Sequence, residues 1–161
     1  MKKIILSFIF LFIFAFNLYA EPDKWTQLLY DSIYYVSNYV GSDIIIDIEK
    51  IENALVNGAN PNWIRLQPDA WTKEESILSH FVKLISMSRD SKITEDGVKA
   101  IEMLFKYKAK LQYCDGSILF WPISYGKYEI VKILLEKGAS ATFWPKDKIG
   151  YDWNFTPIEQ A

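Results

Sequence analysis

Cysteine and histidine are nearly missing from this chain, which has one of each, Cys114 and His80, in 161 residues. A single cysteine excludes an intramolecular disulfide and reads most simply as a small buried hydrophobe. One imidazole, one thiol and no D-x-[DN]-x-[DN]-G loop leave no set of convergent metal ligands, so no metal is expected. No glycine-rich phosphate loop is present either, and no cofactor is expected. Serines are plentiful but lack the G-x-S-x-G setting of a hydrolase nucleophile. A lone histidine on a helix is usually a surface residue or a satisfied core residue, and Asp147 and Asp152 read as solvated loop charges. The chain also lacks a basic excess: its net charge is -2 and its pI about 5.5. Lys106, Lys108 and Lys110 form the only local basic cluster, so phosphate contacts along a nucleic acid have no stripe to rest on.

Apolar residues make up 50% of the chain and aromatic residues 16%, with six tryptophans. That suffices for one domain with a core, and it leaves open whether the rings fill the core or form a contact surface. Residues 1–20, MKKIILSFIFLFIFAFNLYA, begin with Lys2-Lys3, continue in an apolar run from Ile4 to Phe16 broken only by Ser7, and end at Ala20. This is the pattern of a secretory signal peptide, and its brief basic start is of the bacterial kind. The alternative is an uncleaved membrane anchor, for which the run is of borderline length. Without Lys2 and Lys3 the balance is 16 basic against 20 acidic residues. The expected location is the periplasm or the exterior.

Trp25, Leu28, Leu29, Ile33, Val36 and Val40 recur at helical spacing after Asp23 and predict one amphipathic helix running to Gly41. A second helix is expected from Asp47, with Ile48, Ile51 and Leu55 on one side and Gly58 as its stop. Residues 63–73 show no apolar period and read as a loop. Ser76-Ile77-Leu78 returns as Ser117-Ile118-Leu119 at a spacing of 41, and self-similarity at such a period marks an array. A helix carrying Phe81, Val82 and Ile85 and a partner carrying Val98, Ile101, Leu104 and Phe105 follow the first copy. Between them, 86–95 reads as a tolerated surface insertion. The second copy opens the stretch 117–142, SILFWPISYGKYEIVKILLEKGASAT, with one short segment from about Leu119 to Tyr125. Gly126 separates it from a helix carrying Ile130, Ile133 and Leu134 that stops at Gly138.

This stretch resembles an ankyrin repeat. Ser117-Ile118-Leu119-Phe120 stands where the family has Thr-Pro-Leu-His, Gly126 at the inter-helix glycine, and Gly138-Ala139-Ser140 at the Gly-Ala-Asp ending. Asn57-Gly58-Ala59-Asn60-Pro61-Asn62 resembles the same ending, and Thr156-Pro157 another start. Three departures matter. Pro122 replaces an alanine inside the first helix, where its missing N–H should distort a turn. The middle unit ends in Lys108-Ala109, where a left-handed lysine would be strained and a different terminal geometry is expected. The last unit is only partial.

The resemblance implies an all-α, ankyrin-like solenoid of antiparallel helix pairs with hairpin or loop fingers. Its units would be a divergent cap over about 24–62, a repeat with an insertion over 74–112, a repeat over 115–142 and a partial repeat over 143–161. It also implies protein binding through the fingers and the concave face. Trp63, Trp71, Trp144 and Trp153 fall at finger positions. Trp121 and Tyr125 fall on the concave face beside Phe120, and His80 occupies the place of Trp121 in the preceding unit. The expected function is therefore an exported protein-binding scaffold, with neutralisation of a toxin or protection of a periplasmic protein as one use. A secreted factor binding host proteins is an alternative, and an enzyme a third class.

Export with loss of residues 1–20 is the outcome expected from the leader. Intact-mass measurement on protein from the native host checks it; a mature species still beginning at Met1 would instead indicate an anchor.

Overall fold

The computed structural model describes residues 21–36, 44–66, 74–113 and 118–141. Polar caps start most of the helices. Asp23 accepts the N–H groups of Trp25 and Thr26, both at 2.8 Å, and opens α1, Lys24–Tyr30. Asp47 accepts from the Lys50 N–H at 2.9 Å and opens α2, Ile48–Val56. Ser76 caps α3, Ile77–Met87, and Asp90 caps α4, Ser91–Lys106. Each cap satisfies N–H groups that the first turn cannot. After a short 3-10 turn at Leu111–Tyr113 come α5, Phe120–Ser124, and α6, Tyr128–Glu136.

The expected all-α array is corrected by two antiparallel two-stranded sheets. In the first, β1, Ile33–Tyr35, pairs with β2, Ile44–Ile46, with Ile33 opposite Ile46. In the second, β3, Ile64–Leu66, pairs with β4, Glu74–Ser76, with Arg65 opposite Glu75. Among the described residues the chain is a mixed arrangement of six α-helices and these two hairpins. The hairpins are part of the core, because Ile33, Ile44, Trp63 and Ile64 are buried with the helices' apolar residues. The predicted helix across Ile33 and Val36 ends at Tyr30. Ile33, Tyr34, Tyr35 and Val36 are β-branched or aromatic, types that pack well on a pleated strand. Val40 and Gly41 lie outside the described residues. The predicted loop at 63–73 likewise contains β3, its residues 67–73 being outside the described ones.

Three helix pairs carry the core: α1 on α2, α3 on α4, and α5 on α6. Between pairs, α3 meets α5, while α4 meets α2 and α6. Leu29, Ile51, Phe81, Ile85, Ile101, Leu104, Ile130 and Leu134 are fully buried and run through all three pairs. The close approach of α3 and α4 depends on Gly97, since a Cβ there would come within 2.3 Å of the Ile85 side chain.

Two expected distortions are absent. Pro122 is the third residue of α5, within the first turn whose N–H groups have no intrahelical partner, so its ring removes no bond. The insertion is not a surface loop either. Only residues 88–90 separate α3 from α4, and the added residues lengthen these helices to 11 and 16 residues, against 5 and 9 in α5 and α6.

The Lys108 ending corrects a third expectation. Helices α2, α4 and α6 end alike, with Gly58, Lys108 and Gly138 at φ 94, 70 and 95°. In each, the next residue's N–H returns to the helix: Ala59 to the Ala54 carbonyl, Ala109 to Leu104 and Ala139 to Leu134, at 2.9–3.0 Å. This satisfies carbonyls that a helix end otherwise leaves open. The lysine is held there by Asn62, whose amide donates to the Lys108 carbonyl at 3.0 Å and accepts from the Lys110 N–H at 2.8 Å. Those contacts are to backbone and survive substitution. Lys108→Gly is therefore expected to stabilise the chain by about 1 kcal/mol, the left-handed penalty less the added freedom of the unfolded glycine. Urea unfolding reads this as a higher midpoint, and an unchanged or lower midpoint would count against the strain.

Candidate functional site

Glu75 is a carboxylate only 6% exposed, placed inward on β4 where its strand position turns toward α1 and α3. A buried carboxylate needs donors, and they come from two helices. The Tyr30 hydroxyl donates to Oε2 at 3.1 Å, His80 Nδ1 lies 3.2 Å from the same oxygen, and Lys83 Nζ lies 3.5 Å from Oε1. Because a carboxylate only accepts, the Nδ1 of His80 carries a proton in this contact. Tyr30 in turn accepts from an N–H of Arg65 at 2.9 Å, so the phenol links the guanidinium to the carboxylate. The Tyr30 and His80 rings stack at 4.2 Å between centroids, and Arg65 lies over the Tyr30 ring at 5.1 Å.

The electrostatics follow from this geometry. Burial alone would push the Glu75 carboxyl up, but the hydrogen bond and charge of His80, then Lys83 and Tyr30, outweigh it and hold it at about 2, against an ordinary 4.5. Burial, then the charge of Glu75, pushes the Tyr30 phenol up to about 12 in spite of Arg65. The cluster lines a cleft of about 510 Å³ whose other walls include Ile33, Tyr34, Tyr35 and Leu84. Among the described residues no group of three or more His, Cys, Asp or Glu side chains could hold a metal ion.

The sequence-predicted surface is only partly assembled. Trp63 is 8% exposed and meets Tyr30 edge-on at 5.8 Å, so this indole belongs to the core instead of projecting from a finger. The strand pairing of β3 carries it inward, and its carbonyl accepts from the Ile77 N–H at 3.3 Å. Trp71, Trp144 and Trp153 lie outside the described residues. Phe120, Trp121 and Tyr125 do come together. Phe120 meets Trp121 edge-on at 5.1 Å, and Trp121 stacks on Tyr125 at 6.2 Å. Phe120 and Trp121 are half-buried, and Tyr125 is 44% exposed. His80, equated by register with Trp121, sits in the Glu75 cluster.

Tyr35 joins this face from β1. Its hydroxyl donates to the Met87 sulfur at 3.2 Å, and burial, then the nearby Tyr125 phenol, pushes its pKa up. Tyr34, Tyr35, Arg65, Glu75 and Lys83 were not singled out in the sequence. The exposed tyrosines had a readable signal, a β-branched and aromatic run, had it been taken as a strand. Arg65 had a weaker one: it is one of only two arginines among 18 basic residues.

The Glu75 network makes stability pH-dependent. Its folded pKa is depressed, so the stabilisation is present above the unfolded value of 4.5 and is lost as pH falls toward about 2. The expected loss over that window is at most about 3 kcal/mol, at 1.36 kcal/mol per unit. Urea unfolding from pH 6 to 2.5 checks this. Glu75→Gln should lower stability at pH 6 and flatten the acid limb; an acid limb as steep as that of the parent would show that other carboxylates carry it.

Comparison with known proteins finds no matching family model, no matching curated protein and no matching solved structure.

Proposed function

We propose that this chain is an exported protein-binding module whose contact surface is the aromatic face made by Tyr35 of β1 with Trp121 of α5 and Tyr125 at the C-terminal cap of that helix. The observation that carries the reading is that Tyr35, from β1, meets Met87 at the end of α3, the helix on which α5 with its Trp121 packs. Tyr35 is 36% and Tyr125 44% exposed, and exposed aromatic rings are the usual anchors of protein interfaces. The leader at residues 1–20 supports export, to the periplasm or beyond. The acidic balance and the scarcity of basic clusters favour a protein over a nucleic acid as partner. The likeness of 117–142 to an ankyrin repeat points the same way by analogy.

Affinity purification from the host's own periplasm supplies the partner for the test. Trp121→Ala and Tyr125→Ala should each weaken its binding by about 2 kcal/mol, roughly 30-fold, with little change in melting temperature for Tyr125→Ala. Retained affinity in both variants would overturn the reading. A large fall in melting temperature with unchanged affinity would make the rings structural.

A further inference from the structure

Arg65 stands on β3 where two clefts meet, the one of about 510 Å³ described above and another of about 360 Å³ lined by Gln27, Asp31 and Trp63. Its side chain is exposed yet held in place. One N–H donates to the Tyr30 hydroxyl at 2.9 Å, and the guanidinium carbon lies 5.1 Å from the centre of the Tyr30 ring. A guanidinium has five N–H donors. Among the described residues the phenol takes the one hydrogen bond that Arg65 makes, and no carboxylate stands within ion-pair distance of it.

The two carboxylates whose charge acts on Arg65 are engaged elsewhere. Glu75, opposite Arg65 in the strand register, turns inward to Tyr30, His80 and Lys83. Asp31, which also acts on Arg65 through its charge, accepts from the Gln27 amide at 2.8 Å. Lys83 offsets Glu75, and among the described residues most donors of the ordered guanidinium have no partner. Such a group binds a planar carboxylate through two parallel bonds, and because it is already fixed, little freedom is lost on binding.

We propose that Arg65 receives an acidic side chain, aspartate or glutamate, of a partner protein's extended segment. The neighbouring apolar side chain of that segment packs against the exposed rings of Tyr34 and Tyr35 that line the same cleft. The inference rests on the protein-binding reading above and names the partner's chemistry. A single negative charge suits the cleft better than a phosphate dianion, because Glu75 and Asp31 flank the guanidinium and repel a second charge. The apolar wall beside the cation selects a side chain with an apolar neighbour over a free anion.

The test uses two acetylated, amidated hexapeptides, one alternating leucine with glutamate and one alternating leucine with glutamine, titrated calorimetrically into the purified chain. The glutamate peptide should bind about tenfold tighter, with the gap narrowing at high salt. Arg65→Gln should abolish the preference without changing the melting temperature. Arg65→Lys, which keeps the charge but not the planar fork, should leave a reduced preference and guards against a folding defect in the first variant. Equal binding of the two peptides, no binding of either, or an intact preference in Arg65→Gln would overturn the proposal. So would displacement of the peptide by millimolar acetate or inorganic phosphate, which would assign the site to a free small anion. A native partner lost by Tyr125→Ala but retained by Arg65→Gln would leave the protein-binding reading standing and remove Arg65 from it.

Discussion

The burial of the Glu75 carboxylate constrains the rest of the first two helix pairs. Taking an ion out of water costs several kcal/mol unless donors replace its hydration. Here the donors are Tyr30 at the end of α1 and His80 and Lys83 on α3, while the acid itself is on β4. Three elements must therefore keep their relative positions for one carboxylate to be satisfied. The polar contacts around it serve the same placement: the Asn60 N–H donates to the buried Thr26 hydroxyl at 2.8 Å, tying α1 to the turn after α2. Removal of any single donor leaves a buried charge with fewer partners, which is why such a network is costlier to break than to lack.

What could be read from the sequence was what is decided locally. Asp23 and Asp47 as caps, Gly58 and Gly138 as stops, and the apolar faces of α3, α4 and α6 depend on neighbours within a turn or two, and the structure has them where the sequence indicates. The hairpins were not legible, because Ile33 and Val36 fit a helical period as well as a strand, and only pairing with Ile44–Ile46 decides between them. The burial of Trp63 depends on Tyr30 and on the register of β3, which no spacing announces. Lys108 misled for a different reason. Its intrinsic preference opposes the left-handed conformation, but Asn62, from the preceding pair, fixes the backbone on both sides of it. The cost of one strained residue is small beside two hydrogen bonds and a buried Ala109.

The candidate site was legible to the same extent. Phe120 and Trp121 on one short helix and Tyr125 at its C-terminal cap are close in sequence, so their association could be anticipated from helical spacing. Tyr34, Tyr35 and Arg65 line one cleft only through the hairpins that the helical reading did not include.

The unequal helix lengths account for the aromatic face. At 1.5 Å per residue, the 11 residues of α3 span about 16 Å and the five of α5 only about 7 Å. Although the two pack together, α5 covers less than half of α3. The uncovered length must meet another apolar surface or water, and at Met87 it meets Tyr35. A helix of five residues with Pro122 turned into the core has few other positions to bury, so Phe120, Trp121 and Tyr125 pack on one another at the rim. Tyrosine suits this place because its ring can lie on apolar neighbours while its hydroxyl stays wet. The lengthening of α3 and α4, read in the sequence as a tolerated surface insertion, is thus what leaves the end of α3 at Met87 for Tyr35 of the β1 hairpin to meet.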